Sequence, residues 1–290
     1  MNAQTPDELP VQPAQQPTAY DNNPFTITKN GIERLLLYAK TIFIVAIAFV
    51  AVGFIGNGIS SVLNIVTSEV DPSAASGTST ISFEDSLSTL SSADVVVIVA
   101  LFFAVLIPLL LFGTLVSGMA DITSARVAAG KTLTFKQAFK GTIDRFWSYL
   151  WLQIILTVKI LLWSLLLIVP GIIMAVRYSL AGVVFFSQGK TGNQAIAHSA
   201  SLTKGAWLTT FASSAIWTII TLGNAELLIT MGANSELYRS FQSARDNKLP
   251  HPPAHVLSWL TVIGLLMIVF TVFALIAFAV VAFTVLSGTS

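Results

Sequence analysis

Apolar positions fall into five long runs, 42–65, 94–120, 147–188, 207–231 and 256–286, separated by polar stretches. A helix needs about 20 mainly apolar residues to cross about 30 Å of hydrocarbon, and each run is long enough. The third is too long for one helix, because its 42 residues would reach about 63 Å. Pro170 and Gly171 stand near its middle and predict a reversal there. That gives helices over 147–169 and 172–188, and six spanning helices in all. Residues 1–24 carry Pro6, Pro10, Pro13, Pro17 and Pro24 among Gln, Asn, Asp and Thr, and read as a disordered tail. Neither a basic segment nor a short apolar one precedes Lys29, so a secretory leader is not expected.

The connectors carry the charge, and its distribution predicts orientation. Basic residues near helix ends are retained in the cytoplasm, while acidic ones contribute little. In a six-helix arrangement Lys29, Arg34, Lys40, Arg126, Lys131, Lys136, Lys140, Arg145, Lys190 and Lys204 fall on one side. Only Arg239, Arg245 and Lys248 fall on the other, so both termini are expected in the cytoplasm. The first outer connector, with Glu69, Asp71, Glu84, Asp85 and Asp94 and no base, fits as a flexible hydrophilic link.

Three amphipathic basic stretches, 31–40, 134–146 and 193–204, precede the odd-numbered helices. Such segments favour the membrane interface, with apolar faces in the acyl boundary and Lys or Arg toward anionic head groups. Residues 25–290 are therefore expected to form a single transmembrane domain of three units, 25–121, 122–188 and 189–290, each an interfacial helix plus a hairpin. Ordinary connectors of similar composition would give the same pattern. The Gly-Lys-Thr at Gly130 and at Gly189 is not a phosphate loop, because Ala125 and Val184 stand where a second glycine is needed.

Composition narrows the classes. With 54% apolar and 10% charged residues and a mean hydropathy of +0.78, the chain lacks the roughly 25% charge of a soluble domain. The expected fold class is an all-α polytopic membrane bundle. A net charge of +1 excludes the broad basic field of a nucleic-acid binder. The absence of Cys excludes disulfides, thiol catalysis and cysteine-held zinc or iron–sulfur. His251 and His255 have ligand spacing, but Pro252 and Pro253 break the helix that would align them. Neither metal nor cofactor is expected.

Polar side chains at helical spacing inside apolar runs face protein or a watery cavity. Four helices carry such stripes: Asn57, Ser60, Ser61 and Asn64; Thr114, Ser117, Asp121 and Ser124; Gln153, Thr157 and Ser164; Thr210, Ser214, Thr221 and Asn224. They are either packing seams or the lining of a ligand cavity. Lys159 is sharper, since it lies 12 residues past Trp147 and 11 before Pro170, about 16–18 Å from either end of its helix. Its side chain reaches only about 6 Å. It is expected to meet Asp121, Glu226 or an anionic ligand. Arg177 lies close enough to Pro170 to extend to the outer interface, and His198 reads as part of the polar face of its interfacial helix.

Residues 163–205 contain an aliphatic helix, Pro170-Gly171-Ile172, Val176-Arg177-Tyr178-Ser179-Leu180-Ala181, and then Ser199 with Leu202-Thr203-Lys204-Gly205. This resembles the membrane domain beside some bacterial glycerophosphoryl diester phosphodiesterases and related stand-alone multi-pass inner-membrane proteins. The resemblance implies motif positions at Pro170, Gly171, Arg177, Ser179, Ser199, Thr203, Lys204 and Gly205, and a place in the bacterial inner membrane. The family often has an acid in the turn after the Arg-bearing helix and a base before the Ser, where this chain has Ser187-Gln188-Gly189 and His198. Catalysis in those enzymes belongs to a separate barrel of roughly 250 residues, for which there is no room here.

The expected function is non-enzymatic: binding or moving a lipid-related or amphiphilic molecule. Its cavity candidates are Lys159, Arg177, Asp121, Gln153, Thr157, Ser214 and Glu226. The alternative is a membrane anchor or scaffold that recruits a protein through the basic helices and the tail. Membrane lipids are the expected partners, beside a partner protein or a second copy of the chain.

Overall fold

The computed structural model describes residues 20–47, 92–221 and 223–287, and they fold as helices with no strand among them. The first predicted span from residue 48 onward, its polar stripe and the acidic connector to residue 91 lie outside the described residues.

Helix α1 (Pro24–Tyr38) starts where the Asn23 side chain accepts the Phe25 N–H at 3.0 Å, and Pro24 takes the position that needs no N–H. The expected tail is thus ordered at its end. The Tyr20 ring lies 5.4 Å from that of Phe241, and its hydroxyl 3.0 Å from His251 Nδ1. Helix resumes over 40–47 after a break at Ala39. Then follow α2 (Ser92–Ala128) and α3 (Phe135–Ile143). The latter opens on a capping box: the Gln137 N–H donates to Thr134 Oγ1 at 3.4 Å and the Thr134 N–H to Gln137 Oε1 at 3.0 Å.

The third run is α4 (Phe146–Leu166), α5 (Ile168–Tyr178) and α6 (Ala181–Gln188). Its reversal is at Leu167, extended at φ −163° and ψ 139°, and not at Pro170 and Gly171. Pro170 instead sits in the first turn of α5, where a missing N–H costs nothing. Gly171 is a packing position: a Cβ there would lie 2.3 Å from Ser164 Oγ.

Helices α7 (Gly192–Leu202), α8 (Trp207–Ile220), α9 (Glu226–Asp246) and α10 (Val256–Ser287) complete the described chain. The 207–231 run is not one helix. Its first half, α8, has 14 residues and reaches about 21 Å. The chain then turns, with Gly223 at φ +77°, and returns as α9 through residues expected in an outer loop. Four stretches are long and apolar enough to cross a membrane: Val95–Ala128, Phe146–Leu166, Val169–Gln188 and Val256–Thr284.

The core forms around α9. A Cβ on Gly31 would lie 2.0 Å from the Gly232 carbonyl oxygen, so α1 and α9 touch backbone to backbone. Beside this contact Glu236, buried in α9, binds Arg34 of α1 at 3.4 Å and Arg239 one turn on, where Arg239 Nε donates to Glu236 Oε2 at 3.1 Å. The stretch 193–204 was expected to turn its apolar face to lipid. As α7 it buries Ala195, Ile196 and Leu202 in protein, because α6 folds back over it. By contrast α3 leaves Phe135, Phe139 and Ile143 exposed, and the 31–40 stretch leaves Leu36 and Leu37 exposed.

Above the core, apolar surface is bare. From Val95 to Phe112 in α2, and from Leu266 to Phe283 in α10, every residue but Leu106 and Ala282 is exposed. Each stretch is about 27 Å long, close to the roughly 30 Å of a bilayer core.

Gly31→Val has to push a branched side chain into the backbone of α9. The expected loss is at least the 1–3 kcal/mol typical of overpacking, about 3 kcal/mol or more where backbone cannot move aside. Thermal unfolding in nanodiscs checks this, with Gly264→Val, which has open space at its Cβ, as the neutral control.

Candidate membrane-facing polar cavity

On α4, Tyr149, Gln153 and Thr157 follow at i, i+4 and i+8 and share one helix face. That face meets α2 at Asp121. The Tyr149 hydroxyl donates to Asp121 Oδ2 at 2.6 Å, and Gln153 Nε2 donates to the Tyr149 oxygen at 2.5 Å. Tyr149 is fully buried and fixed by its ring, 5.6 Å from Phe185 and 5.2 Å from Phe186 of α6. The same helix comes onto the carboxylate through Gly182, where a Cβ would stand 1.6 Å from Asp121 Oδ2. Only a glycine lets α6 approach this closely.

These residues frame a cavity of about 200 Å³ lined by Asp121, Gln153, Thr157, Tyr178, Ser179 and Gly182, among others. Three of the seven residues expected to line a cavity therefore meet, drawn from two of the polar stripes. Tyr149, the residue that joins them, escapes sequence reading because an aromatic in an apolar run reads as packing. Chemically the cavity is lined by a carboxyl, an amide and three hydroxyls, those of Thr157, Tyr178 and Ser179. That set accepts hydrogen bonds from hydroxyl or ammonium donors, and its carboxylate disfavours phosphate.

The other four candidates lie elsewhere. Ser214 lies within α8 and Glu226 opens α9: Thr218 Oγ1 donates to Glu226 Oε2 at 2.7 Å and approaches the Ser214 carbonyl at 3.0 Å, while Thr230 donates to Glu226 Oε1 at 3.2 Å. Lys159 is ion-paired with neither Asp121 nor Glu226. Because α4 ends at Leu166, it lies seven residues from that end, about 10 Å, at the foot of an apolar tip, Leu161–Val169, whose described side chains are all exposed. The depth that made it expensive is thus reduced on one side.

Arg177 is held by the motif that the sequence resemblance picks out. Ser199 and Thr203 donate to its carbonyl at 2.8 and 3.2 Å, and its Nη2 reaches the Ala200 carbonyl at 3.4 Å. These contacts clamp α7 onto α5, which gives the motif a packing role. Gly205, at φ +88°, makes the turn into α8. The two departures from the family pattern also touch, since Gln188 Nε2 lies 3.0 Å from His198 Nε2.

A second recess, of about 190 Å³ and lined entirely by apolar side chains, lies on another side of α2. Ile42, Ala46, Phe112, Val116, Phe139 and Met231 contribute to it. Residues so scattered along the chain give no sequence signal. No protein-family model, curated protein or solved structure matches the chain.

Tyr149→Phe keeps the packing and removes two hydrogen bonds, the one to Asp121 and the one from Gln153. It is expected to cost about 2 kcal/mol. Tyr149→Ala adds a void, for a total of about 3–5 kcal/mol. Denaturant unfolding of the two variants separates the hydrogen bonds from the ring.

Proposed function

We propose that the protein is a non-enzymatic membrane protein that binds, and in binding can pass along, an amphiphilic molecule bearing a hydroxylated or amine-bearing polar group. The observation that carries this reading is the Asp121 cavity: hydrogen-bonding groups converge beside helices whose outer halves are bare and apolar. The polar group enters between Asp121, Gln153 and Thr157, and the apolar part lies along the exposed outer half of α4. A ligand donor supplies affinity by pairing with the acceptor positions that the Tyr149 bond leaves open.

We further propose an orientation that differs from six crossings. Arg245 of α9 stands 2.9 Å from His198, and so does Lys190 of the preceding connector. The ends of α6 and α9 are therefore at one end of the molecule. On that reading the α8–α9 hairpin enters and leaves on the cytoplasmic side. All thirteen Lys and Arg other than Lys159 and Arg177 then lie there. Helix α10 starts beside Asn22, which donates to the Pro253 carbonyl. Its 32 residues carry the chain about 48 Å away. This supports a cytoplasmic N-terminus with the end of α10 on the opposite side, and Lys159 at head-group level with the α4–α5 tip dipping into hydrocarbon.

The binding reading is checked by mass spectrometry of lipids retained through purification. Asp121→Leu combined with Gln153→Leu is expected to lower the retained amphiphile at least tenfold, the equivalent of about 1.4 kcal/mol, while Lys159→Met keeps it. Equal retention by the double variant removes the proposal. For the orientation, Thr284→Cys is expected to react with an impermeant thiol reagent added outside intact cells, and Ser243→Cys is not. Outside labelling at position 243 would restore the six-crossing arrangement.

A further inference from the structure

Lys190, His198 and Arg245 come from three segments, the turn after α6, the middle of α7 and the end of α9. Lys190 Nζ and Arg245 Nη1 each lie 2.9 Å from the same atom, His198 Nδ1. Two cations are thus held within about 6 Å of each other on one ring nitrogen. Both can only donate, so Nδ1 accepts from them. Burial, followed by the charges of Lys190 and Arg245, pushes the His198 pKa below its ordinary range. The imidazole is therefore neutral and supplies no counter-charge.

Among the described residues no carboxylate is ion-paired with either cation; the three ion pairs are Lys29–Glu33, Arg34–Glu236 and Arg239–Glu236. Asp246, which acts on His198 from the end of α9, accepts a bond from Gln242 at 3.0 Å. Further donors converge: Arg245 Nη1 reaches Ser201 Oγ at 3.2 Å, and Gln188 Nε2 touches His198, Tyr238 and Gln242 at 2.9–3.2 Å. Tyr238 and Gln242 also line a cavity of about 440 Å³ at this end of the molecule, with Arg239, Asp246 and Asn247.

We propose that Lys190 and Arg245, with His198 and Ser201, form a binding site for a phosphate-class anion, distinct from the Asp121 cavity. The anion bridges Lys190 and Arg245, relieving a repulsion that no ion pair among the described residues offsets, and takes the guanidinium fork side-on. The phosphate belongs either to a free phosphate compound or to the head group of an anionic lipid in the cytoplasmic leaflet.

The test uses the full chain in nanodiscs of neutral phosphatidylcholine at pH 8 and low salt, titrated calorimetrically with inorganic phosphate. A parallel arm measures enrichment of phosphatidic acid around the protein in mixed nanodiscs. Saturable phosphate binding that weakens at least tenfold in Lys190→Gln/Arg245→Gln, and survives in Lys190→Arg/Arg245→Lys, establishes a soluble phosphate source. Lipid enrichment lost in the first double variant, without phosphate binding, establishes the head group. Asp121→Asn is expected to change neither arm, which keeps this site separable from the amphiphile cavity. Absence of both signals in the natural protein, or equal signals in Lys190→Gln/Arg245→Gln when it retains the natural circular dichroism and elution volume, overturns the proposal.

Discussion

The approach of α1 to α9 at Gly31 and Gly232 is the constraint on which the rest of the fold is built. Helix α9 carries a buried carboxylate, and a buried charge without a partner is among the costliest features a fold can hold. Arg239, one turn along, supplies part of the compensation. Arg34 supplies the rest only if α1 lies against α9, and two glycines facing one another permit that distance. With α1 seated, Tyr20 reaches Phe241 and His251, which fixes the start of α10. On its other side α9 receives α2, where Ser124 Oγ donates to the Met231 carbonyl at 3.1 Å. Asp121, one turn before Ser124, is presented to α4 and α6 as a consequence.

Much of this was legible in the chain and some was not, for identifiable reasons. Long apolar runs announced α2, α4 and α10, because length and hydropathy are local properties. The stretch 134–146 was visible as an amphipathic segment for the same reason, and it holds α3. Helix α9 was hidden: Glu236, Arg239, Arg245 and Asp246 look like a watery loop after an apolar run. What keeps that segment helical and buried is an arginine about two hundred positions earlier. The Leu167 reversal was displaced by three residues because Pro170 is as compatible with the first turn of a helix as with a break. The Asp121 stripe and the Gln153–Thr157 stripe were each visible, but their meeting depended on Tyr149 and Gly182, whose chemistry shows only in three dimensions.

The two polar sites have opposite preferences and lie on different neighbours of α6. Asp121 rests on Gly182 at its start, while Gln188 at its end joins the His198 network. One is acidic and set beside the apolar halves of the helices, the other basic and set among the connectors. An eight-residue helix thus separates a carboxylate-bearing cavity from a cluster of cations.

The bare halves of α2 and α10 carry a consequence for the bilayer itself. Neither rod leans on protein among the described residues over its outer part, so nothing described there fixes its inclination. A membrane thinner than the roughly 27 Å of each rod is met by tilting, at a cost of fractions of a kcal/mol per ångström of mismatch. Both rods are rooted in the shared core, α2 through Ser124 and α10 through the Tyr20 contact with His251. Any change in their inclination is therefore a torque on the helices that carry the two polar sites, and the thickness of the surrounding lipid becomes a mechanical input to the protein.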